Sequence, residues 1–174
     1  PAMVDWPADI LHCNDWQTAL VPVYLLEERC RIPQLSRAKS VFTIHNIEYQ
    51  GRYTKFVLGD VCGLDDSYFN EHMLAFHDDV NLMKGAIYAA DGVTTVSPTY
   101  AEELQDPFYA HGLEGVIADN RGKLRGILNG IDVVQNDPKG NKTIAKPFSA
   151  GRMAGKAECK AALQQAVGLA PDPK

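Results

Sequence analysis

Four short runs of strand-forming residues, each stopping at a cluster of polar, turn-forming residues, constrain this chain more than any other feature. Residues 9–13 stop at Asn14 and Asp15, residues 39–45 at Asn46, residues 93–96 at Ser97 and Pro98, and residues 123–128 at Asn129 and Gly130. Between them lie stretches with helical spacing. Segment 16–28 follows Asn14 and Asp15, two residues that favour helix N-caps, although Pro22 must kink the helix or cut its first turns short. Segment 81–90 reads as a cleaner helix closed by Asp91 and Gly92. Ser97 as N-cap with Pro98 at the first helical position opens a third over 99–104. Strands alternating with helices predict βαβ units and an α/β fold, a mostly parallel Rossmann-like sheet with helices on both faces. Ligands of such sheets bind beyond the carboxyl ends of the strands. The clusters 14–16, 45–50, 97 and 129–132 are therefore expected on one edge. The mixed stretch 54–80 is expected to form short helices, 133–151 a surface loop, and 154–167 a helix ending at Gly168.

Composition excludes several classes. The chain has 174 residues, 45% hydrophobic and 22% charged, enough to bury a core as one domain. Its net charge is -5 and no dense Lys/Arg cluster occurs, so nucleic acid is not an expected partner. The longest apolar stretch, 19–26, is interrupted by Pro22 and too short to cross a bilayer, so no membrane is expected either. No secretory leader pattern opens the chain. Cys13, Cys30, Cys62 and Cys159 lie far apart and read as free thiols, with Cys13 and Cys62 in apolar surroundings typical of buried cysteine.

Among chemistry-bearing patterns, the glycine-rich phosphate cradles are absent, so a nucleotide held wholly by this chain is not expected. His72, His77, Asp78 and Asp79 come nearest to a metal set, but without ligand spacing, and no metal is expected. No G-x-S-x-G elbow marks a serine hydrolase, and Ser97 reads as a helix cap. His45, at a strand end, could hydrogen-bond a sugar hydroxyl or stabilise developing charge, or serve structure alone. Trp16 beside Asp15 could supply the apolar face and carboxylate of a carbohydrate site, or belong to the core. Asn129 with Gly130 could equally be a tight turn. Spacing alone does not choose among these.

Taken together, five ordered motifs resemble the bacterial glycogen synthases and plant or algal starch synthases, the ADP-glucose-dependent branch of the retaining two-domain (GT-B) glycosyltransferases. They are His12-Cys-Asn-Asp-Trp-Gln-Thr18, Phe42-Thr-Ile-His-Asn-Ile-Glu-Tyr-Gln-Gly51, Asn81-Leu-Met-Lys-Gly-Ala86, Thr94-Thr-Val-Ser-Pro-Thr-Tyr-Ala-Glu-Glu-Leu104 and Gly126-Ile-Leu-Asn-Gly-Ile-Asp132. The resemblance implies that residues 1–150 are the latter part of the family's N-terminal, acceptor-side domain, and 151–174 the helix linking it to a second domain. It implies transfer of glucose from ADP-glucose to the 4-hydroxyl of an α-1,4-glucan with retention, and no cofactor besides this donor substrate. By the same analogy His45 would face the transferred glucose as the catalytic residue, with Asn46 nearby and Asn129 on the same sugar. Asp15 and Trp16 would lie on the acceptor side.

The family's Lys-x-Gly-Gly loop would precede Pro1 and its second domain would follow Lys174, so the isolated chain is expected to be inactive. The aromatic residue that usually follows the motif ending at Asp132 is replaced by Val133. Two rivals stand beside this reading: a stand-alone, non-catalytic glucan-binding or regulatory module, and a related GT-B enzyme using another nucleotide sugar. A parallel sheet cut from its neighbours would expose unpaired edges, which makes self-association of the chain an expectation. A bacterial source would imply cytoplasm, a plant or algal one plastid.

Overall fold

In the computed structural model, which describes residues 6–170, the strand-like runs become real strands. In chain order the elements are β1 (Ile10–Asn14), a 3-10 turn (Trp16–Thr18), α1 (Leu20–Arg31), β2 (Lys39–Ile44), β3 (Arg52–Thr54), α2 (Val57–Asp60), β4 (Ala75–Phe76) and β5 (Asp79–Asn81). There follow α3 (Leu82–Ala89), β6 (Gly92–Thr95), α4 (Pro98–Glu103), α5 (Pro107–Ala110), α6 (Glu114–Asp119), β7 (Leu124–Gly126) and α7 (Ala154–Ala166). β1, β2, β6 and β7 pair in that order, all parallel, into one sheet flanked by helices. The α/β expectation holds. Asn14 is opposite Thr43, and Ile44, Thr95 and Gly126 stand in one cross-strand row, so the strands run out at nearly the same level.

The core lies on the sheet face carrying Cys13, Phe42, Ile44 and Val93. α3 is apolar on nearly every side and packs into this layer through Met83, Ala86 and Ile87, all fully buried, with Val23 of α1 beside them. Each large side chain so buried is worth roughly 1.5–3 kcal/mol of transfer free energy. α3 starts where the sequence indicates. The Asn81 side chain accepts a hydrogen bond from the Lys84 N–H at 3.0 Å, closing the first turn.

Two expectations require correction. Segment 16–28 is not one helix: it splits into the 3-10 turn and α1, with Pro22 in the first turn of α1, where its missing N–H costs nothing. Residues 54–80 do contain α2 and a 3-10 turn at Asp66–Tyr68, but they also supply β4 and β5, which pair antiparallel with β3 as a second, three-stranded sheet in the order β3-β5-β4. Strands of two or three residues are too short to show a period of two. They are held by register instead, with Val80 buried between Tyr53 and Ala75 as its cross-strand partners.

The chain divides into two units, Pro1–Asn129 and Gly130–Lys174. Residues 1–5 and 171–174, the ends of the expected spans 1–150 and 151–174, lie outside the described residues. In the second unit the expected loop is held by local bonds, with Asp132 Oδ1 accepting from the N–H groups of Val134 and Gln135, and α7 ends before Gly168 in the left-handed conformation. Among the described residues no helix is long and apolar enough to cross a membrane.

Candidate functional site

The parallel register delivers Asn14 and Asp15, His45 and Asn46, Ser97, and the segment 127–129 to the carboxyl edge of the sheet. Of the sequence-predicted residues, Asp15 and His45 meet directly. Asp15 Oδ1 accepts the His45 backbone N–H at 2.8 Å, and the Asp15 N–H donates to Thr43 O at 3.0 Å. Asp15 therefore does not cap the helix that follows, contrary to its sequence expectation; its carboxylate is committed across the sheet. Its backbone sits at φ 56° and ψ 179°, a region a non-glycine residue occupies at a cost of about 1–3 kcal/mol. Such strain persists only where the surroundings enforce it, and here two hydrogen bonds to β2 and its end do so.

Asn14, expected from the sequence at this edge and as a helix-cap candidate but given no site role, belongs to this cluster. Its side-chain Oδ1 lies 3.0 Å from His45 Nε2, and its own N–H and C=O both meet the Thr18 hydroxyl, at 2.7 and 2.8 Å. Behind it, His12 Nε2, Thr43 Oγ1 and Thr94 Oγ1 form a hydrogen-bonded row across β1, β2 and β6, at 2.7 and 2.6 Å. No short motif announces such a row, because its members meet only through strand pairing.

Trp16 is half-buried. The ring packs against the core and stands 6.0 Å, centroid to centroid and tilted, from the ring of exposed Tyr53. Gly51 makes this possible. At φ +64° it turns the chain where other residues are strained, and a Cβ there would lie 2.7 Å from the indole. Asn46 is exposed, with Oδ1 turned into its own loop to accept the Glu48 N–H at 2.9 Å. Asn129 is exposed three residues beyond β7 and, among the described residues, makes no hydrogen bond with the His45 group. Ser97 is the cap the sequence indicates, its hydroxyl accepting the Tyr100 N–H at 2.9 Å. Tyr100 in turn accepts the Ile47 N–H at 3.1 Å, tying α4 to the loop after His45.

That loop is anchored at its far end by a buried polar network the sequence reading did not single out. Gln50 accepts from the Asn81 amide at 2.6 Å and donates to His111 O at 3.1 Å, while the N–H groups of Leu82 and Met83 bond Gly51 O and Gln50 O. Lys84, buried beside them, donates to Ala75 O; burial pushes its ammonium pKa down, against the opposing pull of Glu71. The signal lay in the motifs themselves, since Gln50 and Asn81 stand in two of the five quoted above.

Chemically, the edge offers an imidazole, a carboxylate and an indole face, groups suited to hydrogen-bonding hydroxyls and stacking on a sugar. Among the described residues no group of three or more His, Cys, Asp or Glu side chains could hold a metal ion. The buried Cys13 and Cys62 thiols are pushed up by burial.

Residues 1–119 match the family model described as the starch synthase catalytic domain. The glycogen synthase of Bacillus licheniformis is 45% identical over 166 residues, 95% of this chain and 34% of that enzyme. That of Alkaliphilus metalliredigens is 42% identical over 171 residues, 98% of this chain and 36% of that enzyme. Among solved structures, the catalytic domain of starch synthase IV from Arabidopsis thaliana bound to ADP and acarbose matches with a TM-score of 0.80 and 38% identity, covering 94% of this chain and 34% of that one. The chain spans about a third of the length of these relatives.

Proposed function

We propose, because this chain belongs to the starch synthase catalytic-domain family, that it forms the acceptor-side part of a retaining glucosyltransferase that moves glucose from ADP-glucose to the 4-hydroxyl of an α-1,4-glucan. The observation that carries the reading is the strained Asp15 locked to His45 at the carboxyl edge, beside the half-buried Trp16. In this reading His45 faces the transferred glucose, Asn46 and Asn129 approach the same sugar, and Asp15 and Trp16 line the acceptor side. The chain works by placement. A sugar passing through an oxocarbenium-like state is stabilised by fixed dipoles more than by a strong base, and a carboxylate with a fixed imidazole needs no reorganisation when charge develops. ADP-glucose is the donor substrate, and neither a metal nor an organic cofactor is assigned.

Residues 1–150 are read as the latter part of the acceptor-side domain and α7 as the start of its link to the donor-side domain. Diphosphate binding and base choice then fall to segments beyond this third of the enzyme. The chain alone is expected to release no ADP from ADP-glucose with a maltooligosaccharide acceptor, while a synthase containing it does. Glucan synthesis by the purified 174-residue chain would overturn the division of labour. Maltooligosaccharide binding by a chain whose full-length form transfers nothing would favour a binding module instead. The enzyme is placed in the cytoplasm of a bacterial source or the plastid of a plant or algal one, which fractionation with an antibody against this chain separates. The isolated chain is expected to self-associate through its sheet edges.

A further inference from the structure

The reading of His45 as the sugar-facing group does not say which ring nitrogen meets the sugar or what selects it. Asn14 supplies that choice. Its Oδ1 stands 3.0 Å from His45 Nε2, and an amide oxygen only accepts, so Nε2 carries the hydrogen and donates it. The neighbouring Asp15 carboxylate fixes the His45 backbone N–H at 2.8 Å, so main chain and ring are both held from the end of β1. Asn14 is itself rigidly placed: it pairs with Thr43 in the sheet, and the Thr18 hydroxyl bonds both its N–H and its C=O. The other nitrogen, Nδ1, makes no hydrogen bond to any described residue, and the His45 side chain is exposed.

We propose that Asn14 is a positioning residue that holds the neutral His45 imidazole in its Nε2–H tautomer and thereby presents Nδ1 as a hydrogen-bond acceptor for a sugar hydroxyl. A ring so held takes a hydroxyl hydrogen at Nδ1 and has no hydrogen there to give to a departing oxygen. It selects a hydroxyl-bearing sugar in a fixed orientation rather than protonating the leaving group. The inference rests on the proposed function only for the identity of the hydroxyl; the tautomer is a property of the chain alone.

The test is a long-range 1H–15N correlation spectrum of the labelled chain, recorded with the imidazoles neutral, for the wild type and for Asn14→Ala and Asn14→Asp. The Nε2–H pattern is expected for His45 in the wild type and in Asn14→Asp, whose carboxylate also accepts. In Asn14→Ala the ratio of the two tautomers should fall by about fivefold, the net worth of one hydrogen bond. The His12 resonances, fixed by Thr43, report that the sheet is intact. An Nδ1–H pattern in the wild type, the signature of an amide turned the other way, would overturn the proposal, as would an unchanged ratio in a folded Asn14→Ala chain.

In a full-length synthase containing this chain, Asn14→Ala should lower kcat by about fivefold with Asn14→Asp restoring most of it. Equal kcat in wild type and Asn14→Ala would sink the positioning role. Absence of glucosyl transfer by the wild-type synthase would instead remove the proposed function, and the spectrum, taken without substrate, would still decide the tautomer.

Discussion

A residue in the wrong part of conformational space can be more informative than one in a familiar motif. Asp15 occupies a backbone region that its side chain disfavours, yet that side chain is what holds the end of β2 in place. Gly51 does the complementary work on the other side of Trp16, where its left-handed conformation and absent Cβ leave room for the indole. Gly51→Ala is therefore expected to destabilise the chain by about 1–2 kcal/mol and to shift Trp16 outward. The urea midpoint and a red shift in tryptophan emission measure the two effects. Since Trp6 is exposed and insensitive to such a movement, a shift arises from Trp16. An alanine variant with wild-type midpoint and emission would show that the indole is not packed as described.

Between elements, Asp91 joins α1, β2 and β6 more firmly than its exposed position in the chain suggests. Its carboxylate pairs with Arg29 of α1 and, at 3.0 Å, with Lys39 of β2, and accepts the Ser40 N–H at 2.8 Å. Burial alone would raise its pKa, but the Ser40 N–H and the Lys39 and Arg29 cations outweigh it and hold the group at about 2. An unfolded Asp titrates near about 3.9, so the folded value is the lower one, and the stabilisation is fully present above about pH 4 and is lost as pH falls toward about 2. Because the side chain is 26% exposed, solvent screening reduces its worth to roughly 1 kcal/mol. Asp91→Asn should cost about that much near pH 7 and flatten the acid limb between about pH 4 and 2. Parallel acid limbs in the two proteins, measured by urea titration across that range, would show that Asp91 is not the group responsible.

At the scale of the whole molecule, the sheet order leaves β1 and β7 as edges among the described residues, and β1 carries Ile10, 55% exposed. Unpaired strand edges with apolar side chains are templates for association, so the isolated chain should sediment with a weight that rises with concentration, and Ile10→Lys should reduce that rise. A single 19.1 kDa species for the wild type over the same range would count against it. The division of labour between sequence and tertiary structure follows from range. The α/β class, the parallel strands and the Ser97 cap were legible because each rests on neighbouring residues: β-branched runs ending in turn formers, and a hydroxyl three residues from the N–H it accepts. The family was legible in five motifs, two of which contain Asp15 and His45. The β3-β5-β4 sheet was hidden because strands of two or three residues are too short to display a repeat of period two. The place of Asn14 at the edge was legible, but its bond to the His45 ring was hidden, because His45 lies 31 residues away and arrives beside it through the pairing of β1 with β2. Local backbone preference is written in adjacent side chains. The conformation of Asp15 and the orientation of the His45 ring exist only once two strands are in register.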